Sequence, residues 1–300
     1  MKIITKNGKI ITKTATAYGQ SKEIGIYALA QALNEVTAEG ASSFEAEIRI
    51  MIPMYAFKSR VHTMEKIMKH ICAKKGVELA EIKSERNSII TQTMVIVTVT
   101  GYSELAVEES ALNGNQKHAQ GSIYTGQDIV LTKWIGMEGM LRITTEKEEA
   151  LKERFSAGFL KQILSYKEHI FAEKEIRIAR DCGVSYMKQI TEGGIMAALW
   201  NLAKETEAGI EADLKLLPVR QETIEVCEYF RLNPYQLTST GSMLMVAEDG
   251  EKLAETLHAQ GIAATVIGKL TDNNDKLLHN GEEIRYIDRP APDELMKIFE

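Results

Sequence analysis

The sequence predicts an α/β (α+β) protein built from two domains, and two observations carry that prediction. Along the chain, stretches with period-two apolar residues, typical of strands, alternate with amphipathic stretches typical of helices. A polar, glycine-containing segment over residues 102–126 separates two such series, and 300 residues are enough for two domains of ordinary size. We therefore assign residues 1–125 to an N-terminal domain and residues 126–300 to a C-terminal domain.

The N-terminal half opens with a strong hairpin signal. Asn7-Gly8 lies between two runs rich in β-branched residues, which predicts a hairpin over residues 2–13. Apolar residues at helical spacing then predict two helices, and period-two alternation with many Val, Ile and Thr residues predicts strands. The expected helices cover residues 22–36 and 61–72, and the expected strands cover residues 44–52, 77–82 and 91–100.

The C-terminal half continues the alternation of strands and helices. Gly136 and Gly139 flank a turn that leads into a helix, and Asn280-Gly281 predicts a closing hairpin. The remaining strands are expected over residues 126–133, 184–190, 243–247 and 263–270. Helices are expected over residues 146–155, 159–169, 175–182, 219–230 and 251–260, with another after residue 191 and a short one after Pro292.

Composition excludes several functional classes. The net charge is -6 with both signs mixed along the chain, which argues against a nucleic-acid-binding surface and a polybasic membrane patch. The sequence has no signal-peptide core and no apolar run of about 18 residues, so we expect no membrane partner and a cytoplasmic location. Three cysteines without a C-x-x-C pair and six scattered histidines give no reason to expect a disulfide scaffold, structural zinc or haem.

The stretch Thr191-Glu192-Gly193-Gly194 is the first candidate for ligand binding. It follows a predicted strand and opens a predicted helix, where the Thr191 hydroxyl is expected to cap the free backbone N–H groups. The two glycines allow a close approach of the backbone, and the helix start favours an anion such as phosphate. The alternative interpretation is a tight strand-to-helix turn without a ligand.

Several further motifs stand in a recognisable order. They are Asp128 to Lys133 with Gly136 and Gly139, Leu232 to Leu237, Ser239-Thr240-Gly241 and Val266 to Leu270. Together with Ile190 to Gly194 they resemble the C-terminal domain of the aminoimidazole ribonucleotide synthase (PurM-like) superfamily, and within it the branch of the hydrogenase maturation protein HypE. The N-terminal half resembles the same superfamily through Asn34-Glu35 and Gly40-Ala41 ahead of an alternating strand.

The resemblance implies a PurM-like homodimer in which two N-terminal sheets close into a barrel. It also implies that ATP with Mg²⁺ binds at the domain and subunit junction, for ATP-dependent activation of an amide-type oxygen by a ligase- or synthase-like enzyme. Glu35 is then the candidate Mg²⁺ ligand. The candidates for nucleotide or phosphate binding are Lys133, Thr191, Glu192, Gly193, Gly194, Ser239, Thr240, Gly241 and Ser242. The alternatives are a solvated strand end for Lys133, an ordinary turn for Ser239 to Gly241 and a solvated helix residue for Glu35.

Departures from the family pattern keep other functions open. The hairpin of residues 2–13 replaces the family's strand with paired aspartates, and residues 82–88 replace its Gly-Gly-Asp segment. Residues 293–300 lack HypE's terminal cysteine, so its thiol chemistry is not carried over. The chain is therefore also consistent with a catalytically degenerate homodimeric binding or scaffold protein for a small phosphate-containing ligand or a maturation partner, or with a purely structural dimer. Convergence of Glu35 and Glu47 with Glu81 or Glu85 would favour a metal-dependent enzyme.

Overall fold

The computed structural model describes residues 2–5, 8–103 and 122–299. It divides into two compact units, Met1–Asn115 and Gln116–Glu300. Most of the predicted linker, residues 102–126, lies outside the described residues. Both units combine a sheet with helices, which confirms the predicted α/β class, whereas the barrel across a dimer stays a prediction.

The first unit contains a five-stranded sheet in the order β1-β2-β5-β3-β4. Strands β3 and β4 are parallel, and every other neighbouring pair is antiparallel. Its elements are β1 (Lys2–Thr5), β2 (Gly8–Gly19), α1 (Ile24–Ala38), β3 (Ser43–Pro53), α2 (Lys58–Lys74), β4 (Val77–Asn87) and β5 (Thr93–Ser103). The parallel pair is possible because α2 supplies the crossover that a parallel connection needs.

Two strands of this sheet are longer than predicted. The hairpin of β1 and β2 is present, but β2 continues to Gly19 and pairs with β5 from Lys9 to Gly19. Ala15 and Ala17 bury their small side chains in that continuation, where they give only a weak hydrophobic alternation. Strand β4 continues to Asn87 through a polar run that reads as a loop. It lies at the sheet edge, where charged residues are common because one side of the strand faces solvent.

Helix α1 buries its apolar stripe against the sheet of the first unit. Ile24, Leu29 and Leu33 are fully buried, and the helix contacts β2 and β5. Val95, Val97 and Val99 of β5 belong to the same core. They alternate with half-buried residues, so every second side chain of the strand packs against the helices. The helical and strand periodicities predicted from the sequence therefore converge on one core.

The second unit contains a seven-stranded sheet in the order β12-β11-β8-β10-β6-β9-β7. Its strands are β6 (Asp128–Thr132), β7 (Tyr186–Gln189), β8 (Gly209–Asp213), β9 (Met243–Ala247), β10 (Ala264–Thr271), β11 (Lys276–Asn280) and β12 (Glu283–Tyr286). Its α-helices are α3 (Met137–Glu146), α4 (Glu148–Lys152), α5 (Ala157–Ser165), α6 (Glu173–Asp181), α7 (Gly194–Thr206), α8 (Gln221–Phe230) and α9 (Gly250–Ala259). Short 3-10 helices cover Tyr166–Ile170, Leu214–Leu216, Pro234–Gln236 and Glu294–Ile298.

Two features of the second unit differ from expectation. Strand β8 is absent from the sequence prediction, although it lies inside the sheet between β10 and β11. It has five residues, too few for a clear period. Helix α3 begins at Met137, so Gly139 lies inside the helix rather than in the turn before it. Glycine is needed at this position because a Cβ atom would overlap the Leu237 side chain.

The core of the second unit joins α7 to the sheet. Leu199 and Leu202 of α7 pack with Ile129 and Leu131 of β6 in one fully buried cluster. This packing fixes the start of α7 relative to the end of β6. Across the described ranges, no helix is long and apolar enough to span a membrane.

Candidate functional site

The second unit brings two loops together at one end of β6. One loop connects β6 to α3, and the other, residues 237–242, precedes β9. Ser239 Oγ accepts a hydrogen bond from the backbone N–H of Gly136 at 2.7 Å. Ser242 Oγ donates to the carbonyl oxygen of Trp134 at 2.7 Å. The two predicted serines therefore hold the loops to each other, and their hydroxyl groups have structural partners.

Thr240, between these serines, has a different environment. Its side chain is fully buried, and its hydroxyl oxygen has no hydrogen-bond partner among the residues that the structure describes. Leaving a buried polar group without a partner costs roughly 1–3 kcal/mol. Since buried polar groups in native proteins nearly always have a partner, this hydroxyl is a candidate contact for a ligand atom or an ordered water.

Gly241 brings this loop against the backbone of residues 169–170. Its φ is 94°, a conformation that favours glycine, and a Cβ atom there would overlap the carbonyl oxygen of His169. The glycine predicted from the sequence is therefore needed for a close approach between two backbone segments. Thr240 is the residue before Gly241 and lies next to that approach.

The start of α7 differs from the sequence prediction. The prediction that Thr191 caps this helix is wrong, because the N-cap residue is Gly193, with a φ of 78°. The backbone N–H of Gly193 donates to Oδ2 of Asp293 at 2.8 Å. The position expected for a bound anion is thus taken by a carboxylate of the C-terminal segment. Glu192 is exposed and Gly194 is buried.

Asp293 is an unusual carboxyl group because it is buried. Burial raises its pKa to about 6, although hydrogen bonds from the backbone N–H groups of Leu295 and Gly193 act in the opposite direction. Leu295 donates to Oδ1 at 2.9 Å, so both carboxylate oxygens accept a bond. The negative charge at the start of α7 therefore disappears at mildly acidic pH.

Lys133 lies in the interior of the second unit. It adopts a left-handed conformation with a φ of 58°, and its side chain is 5% exposed. Its ammonium group forms an ion pair with Glu175 and donates to the carbonyl oxygens of His169 and Phe171 at 2.5 and 2.9 Å. These contacts satisfy the ammonium group internally, so we place Lys133 in the framework of the site.

A cluster that the sequence analysis missed lies on the other side of Trp134. The Cζ atom of Arg220 is 3.8 Å from the centroid of the Trp134 ring and 4.5 Å from that of Tyr166. The His169 ring meets Trp134 edge-on, with centroids 5.3 Å apart. Burial lowers the pKa of His169, and the nearby Lys133 charge acts in the same direction, which favours the neutral imidazole. We call Arg220, Trp134, Tyr166 and His169 the Arg220 cluster.

Glu35 lies in the first unit, at the polar edge of α1. Its carboxylate is 3.8 Å from the ammonium group of Lys13, which is 2.6 Å from Glu39. Glu81 pairs instead with Lys83 at 2.6 Å. Within the described part of the chain, no three His, Cys, Asp or Glu residues converge on a possible metal position. Two carboxylates beside one ammonium group do not form a protein-held magnesium site, so these residues do not fit a resident Mg²⁺ ion.

Sequence comparisons relate the chain to a group of synthases and maturation proteins. A family model for the C-terminal domain of AIR synthase related proteins matches residues 125–279. A hydrogenase expression/formation protein of Methanocaldococcus jannaschii is 23% identical over 282 residues, which cover 92% of this chain and 79% of that protein. Carbamoyl dehydratase HypE of Azotobacter vinelandii is 25% identical over 157 residues, 51% of this chain and 44% of that protein. The match to this HypE thus spans less than half of its length.

Solved structures share the fold at low sequence identity. Escherichia coli HypE matches with a TM-score of 0.75 and 18% identity, over 96% of this chain and 88% of that one. A HypE solved in complex with ATP matches with a TM-score of 0.71 and 14% identity, over 99% and 89%. ThiL, solved with AMPPCP and TMP, matches with a TM-score of 0.69 and 16% identity, over 94% and 86%. These likenesses confirm the PurM-like fold predicted from the motifs.

Proposed function

Because the chain belongs to the family of AIR synthase related proteins, as the match to residues 125–279 establishes, we propose that it binds a phosphate-containing ligand, with ATP as the first candidate. The observation that carries this proposal is the buried Thr240 hydroxyl, which has no partner within the described residues. A phosphate oxygen is a hydrogen-bond acceptor of the kind that this hydroxyl lacks. The complexes of HypE with ATP and of ThiL with AMPPCP and TMP support a nucleotide as the ligand.

The reaction that we propose is ATP-dependent activation of an amide-type oxygen in a biosynthetic or maturation step. The terminal phosphoryl group passes from ATP to that oxygen and leaves ADP, and a nitrogen or sulfur nucleophile then displaces inorganic phosphate. Phosphoryl transfer depends mainly on positioning and on charge stabilisation. In this chain Ser239 and Ser242 fix the loop, and Thr240 contacts a ligand oxygen. The curated HypE relative, a carbamoyl dehydratase, supports a reaction at an amide-type group.

A second candidate function is a binding or scaffold protein of the same fold without ATP turnover. The ion pair between Glu35 and Lys13 favours this second candidate. The Lys13 charge competes with magnesium for the single carboxylate that the family pattern offers as a ligand. The closure of the α7 start by Asp293 favours it as well. Turnover separates the two candidates: release of ADP in the presence of candidate acceptors supports the first, and ATP binding without release supports the second.

We further propose a cytoplasmic homodimer that works with a maturation partner protein. On β5 the alternate residues Met94, Ile96 and Thr98 are only half-buried, so the sheet face opposite the helices keeps apolar surface. That surface is consistent with the barrel that two N-terminal sheets form in the family. The solved complex of HypE with HypF supports a protein partner. Light scattering of the full chain at several concentrations tests the dimer, and a concentration-independent monomer mass contradicts it.

The test of ligand binding is a comparison of two threonine variants. Thr240→Val removes the hydroxyl and keeps the side-chain shape, and we expect it to weaken ATP binding about tenfold, the effect of one hydrogen bond to a charged group. Thr256→Val is the matched control, since the Thr256 hydroxyl donates to the Lys252 carbonyl of its own helix. Titration calorimetry of both variants and the parent measures the affinities. Equal ATP affinity in all three proteins contradicts a role for Thr240.

A further inference from the structure

Aromatic rings hold the Arg220 guanidinium group, which has no anionic partner among the residues that the structure describes. Its faces contact the Trp134 and Tyr166 rings, with distances of 3.8 and 4.5 Å from Cζ to the ring centroids. Its Nε atom is buried and has no hydrogen-bond partner among the described residues. Cation–π contacts stabilise the charge through the faces of the guanidinium and do not use its in-plane N–H donors.

The backbone around Arg220 fixes this arrangement. Ile135 N donates to the Pro218 carbonyl at 3.0 Å, and Ile135 and Val219 form a parallel bridge, which brings together the two segments that carry Trp134 and Arg220. The Arg220 carbonyl also accepts bonds from the first turn of α8, from Thr223 and Ile224 at 3.0 and 3.1 Å. The guanidinium group is therefore positioned by two elements before any ligand arrives, which lowers the entropy cost of binding.

The carboxylates near the Arg220 cluster have other partners. Glu222 Oε1 accepts hydrogen bonds from the Tyr166 hydroxyl at 2.9 Å and from Gln162 Nε2 at 2.6 Å. Glu175 forms its ion pair with Lys133. Within the described ranges no ion pair joins Arg220 to a carboxylate. Among the residues that the structure describes, Arg220 thus contacts aromatic rings and pairs with no acid.

The Arg220 cluster adjoins the loop that contains Thr240. Trp134 contributes its ring to the cluster, and its carbonyl accepts the bond from Ser242. His169 contributes its ring as well, and its carbonyl lies against Gly241. The Arg220 Nε and the Thr240 hydroxyl, which both lack a partner within the described ranges, therefore lie in segments that contact each other.

We propose that Arg220 is the anchor of an oxyanion-binding site, which takes a phosphate or carboxylate group against the edge of a guanidinium clamped by Trp134 and Tyr166. A planar guanidinium donates two parallel hydrogen bonds to such groups. The site goes beyond the proposed ATP binding, since its ligand is any molecule with an accessible oxyanion, such as an acidic substrate. Its test therefore uses small anions in place of ATP.

The chain offers a reporter inside the cluster. It has two tryptophans, Trp134 and Trp200, so Trp200→Phe leaves Trp134 as the only one. Anion binding to Arg220 changes the charge over the Trp134 ring and with it the fluorescence. We expect a saturable change on titration of the full-length Trp200→Phe protein with pyrophosphate or with malonate. Sodium chloride at equal ionic strength is the screening control. The pyrophosphate and malonate arms distinguish phosphate from carboxylate ligands.

Arginine variants decide the assignment. In the Trp200→Phe background, Arg220→Ala is expected to weaken oxyanion binding at least about tenfold, and Arg220→Lys to retain part of it as a charge without the planar fork. Arg285→Ala is the matched control, because Arg285 is exposed and pairs with Glu283 on β12. Calorimetry with the tryptophan-intact parent and its Arg220→Lys variant repeats the test if Arg220→Ala does not fold. Absence of saturation with both anions, or equal affinity in the Arg220 variants and the parent, overturns the proposal.

Discussion

The carboxylate of Asp293 accepts a hydrogen bond from the backbone N–H of Gly193 at 2.8 Å, so the start of α7 already holds an anion supplied by the chain itself. A helix start with its N–H groups and dipole stabilises negative charge. Here that stabilisation acts on a residue of the C-terminal segment and ties this segment to the second unit. An external anion would have to displace Asp293 to bind there.

Asp293 should give folding stability a measurable pH dependence. Its pKa rises from 3.8 to about 6 on folding, so the native state binds a proton more tightly than the unfolded state. The stabilisation from this group is complete below about pH 4 and is lost as pH rises through 6, a change of about 3 kcal/mol. The difference in unfolding free energy between the parent and Asp293→Asn, measured with urea from pH 4 to 7, should fall by about that amount.

The matched control for this experiment is Asp249→Asn. Asp249 is exposed at the N-cap of α9, where it accepts a bond from Lys252 N at 2.9 Å. A parent-minus-variant difference for Asp293→Asn that does not change with pH would show that this carboxyl group titrates alike in the folded and unfolded chain.

The buried ion pair of Lys133 and Glu175 should show strong coupling. Lys133→Met alone leaves a buried carboxylate without its cation, and Glu175→Met alone leaves a buried ammonium group, so each should cost about 3–5 kcal/mol. The double variant removes both charges and should lose less than the sum of the single variants. Chemical denaturation of the four proteins measures this coupling. Additive losses would mean that the two groups do not depend on each other.

Gly241 should tolerate a methyl group much less well than a glycine of similar conformation. Its φ is 94° and an added Cβ would overlap backbone atoms of residues 169 and 170. Gly261 has a φ of 76° but nothing within 4 Å of an added Cβ. Gly261→Ala should therefore cost about 1–2 kcal/mol from backbone strain alone, and Gly241→Ala clearly more. Equal losses in thermal or urea unfolding would contradict the close approach described for this loop.

Glu35→Gln should have little effect on either stability or ATP binding. The Glu35 carboxylate is about one-third exposed and 3.8 Å from Lys13, and such surface pairs contribute about 0–1 kcal/mol. The described residues around it do not form a magnesium site. Calorimetry with ATP and Mg²⁺ should give the same affinity for the variant and the parent. Loss of the Mg²⁺-dependent part of the binding would restore Glu35 as a metal ligand.

The sequence predicts most of the fold where local patterns agree with tertiary packing. The apolar stripe with Leu29 and Leu33 specifies α1, and alternating Val95, Val97 and Val99 specify β5. The hydrophobic pattern does not predict β8, a short strand that is defined by its pairing with β10 and β11. It also fails for the second half of β4, where backbone pairing with β3 overrides a polar composition.

The site is predicted only in part, for a similar reason. The loop of Ser239 to Ser242 is visible in the sequence as a cluster of small polar residues and glycine. Asp293 and Arg220 are not visible, because the groups that give them a role, Gly193 and Trp134, are distant along the chain and meet them only in the folded unit. A lone aspartate after two prolines and a lone arginine before a helix carry no local signal.

The most direct test of the account is calorimetric titration of the full-length protein with ATP in the absence and presence of Mg²⁺. Binding through Thr240 and its loop predicts saturable heat with both solutions, since the protein groups that contact phosphate need no resident metal. No heat and no thermal stabilisation at millimolar ATP in either solution would contradict the proposed function.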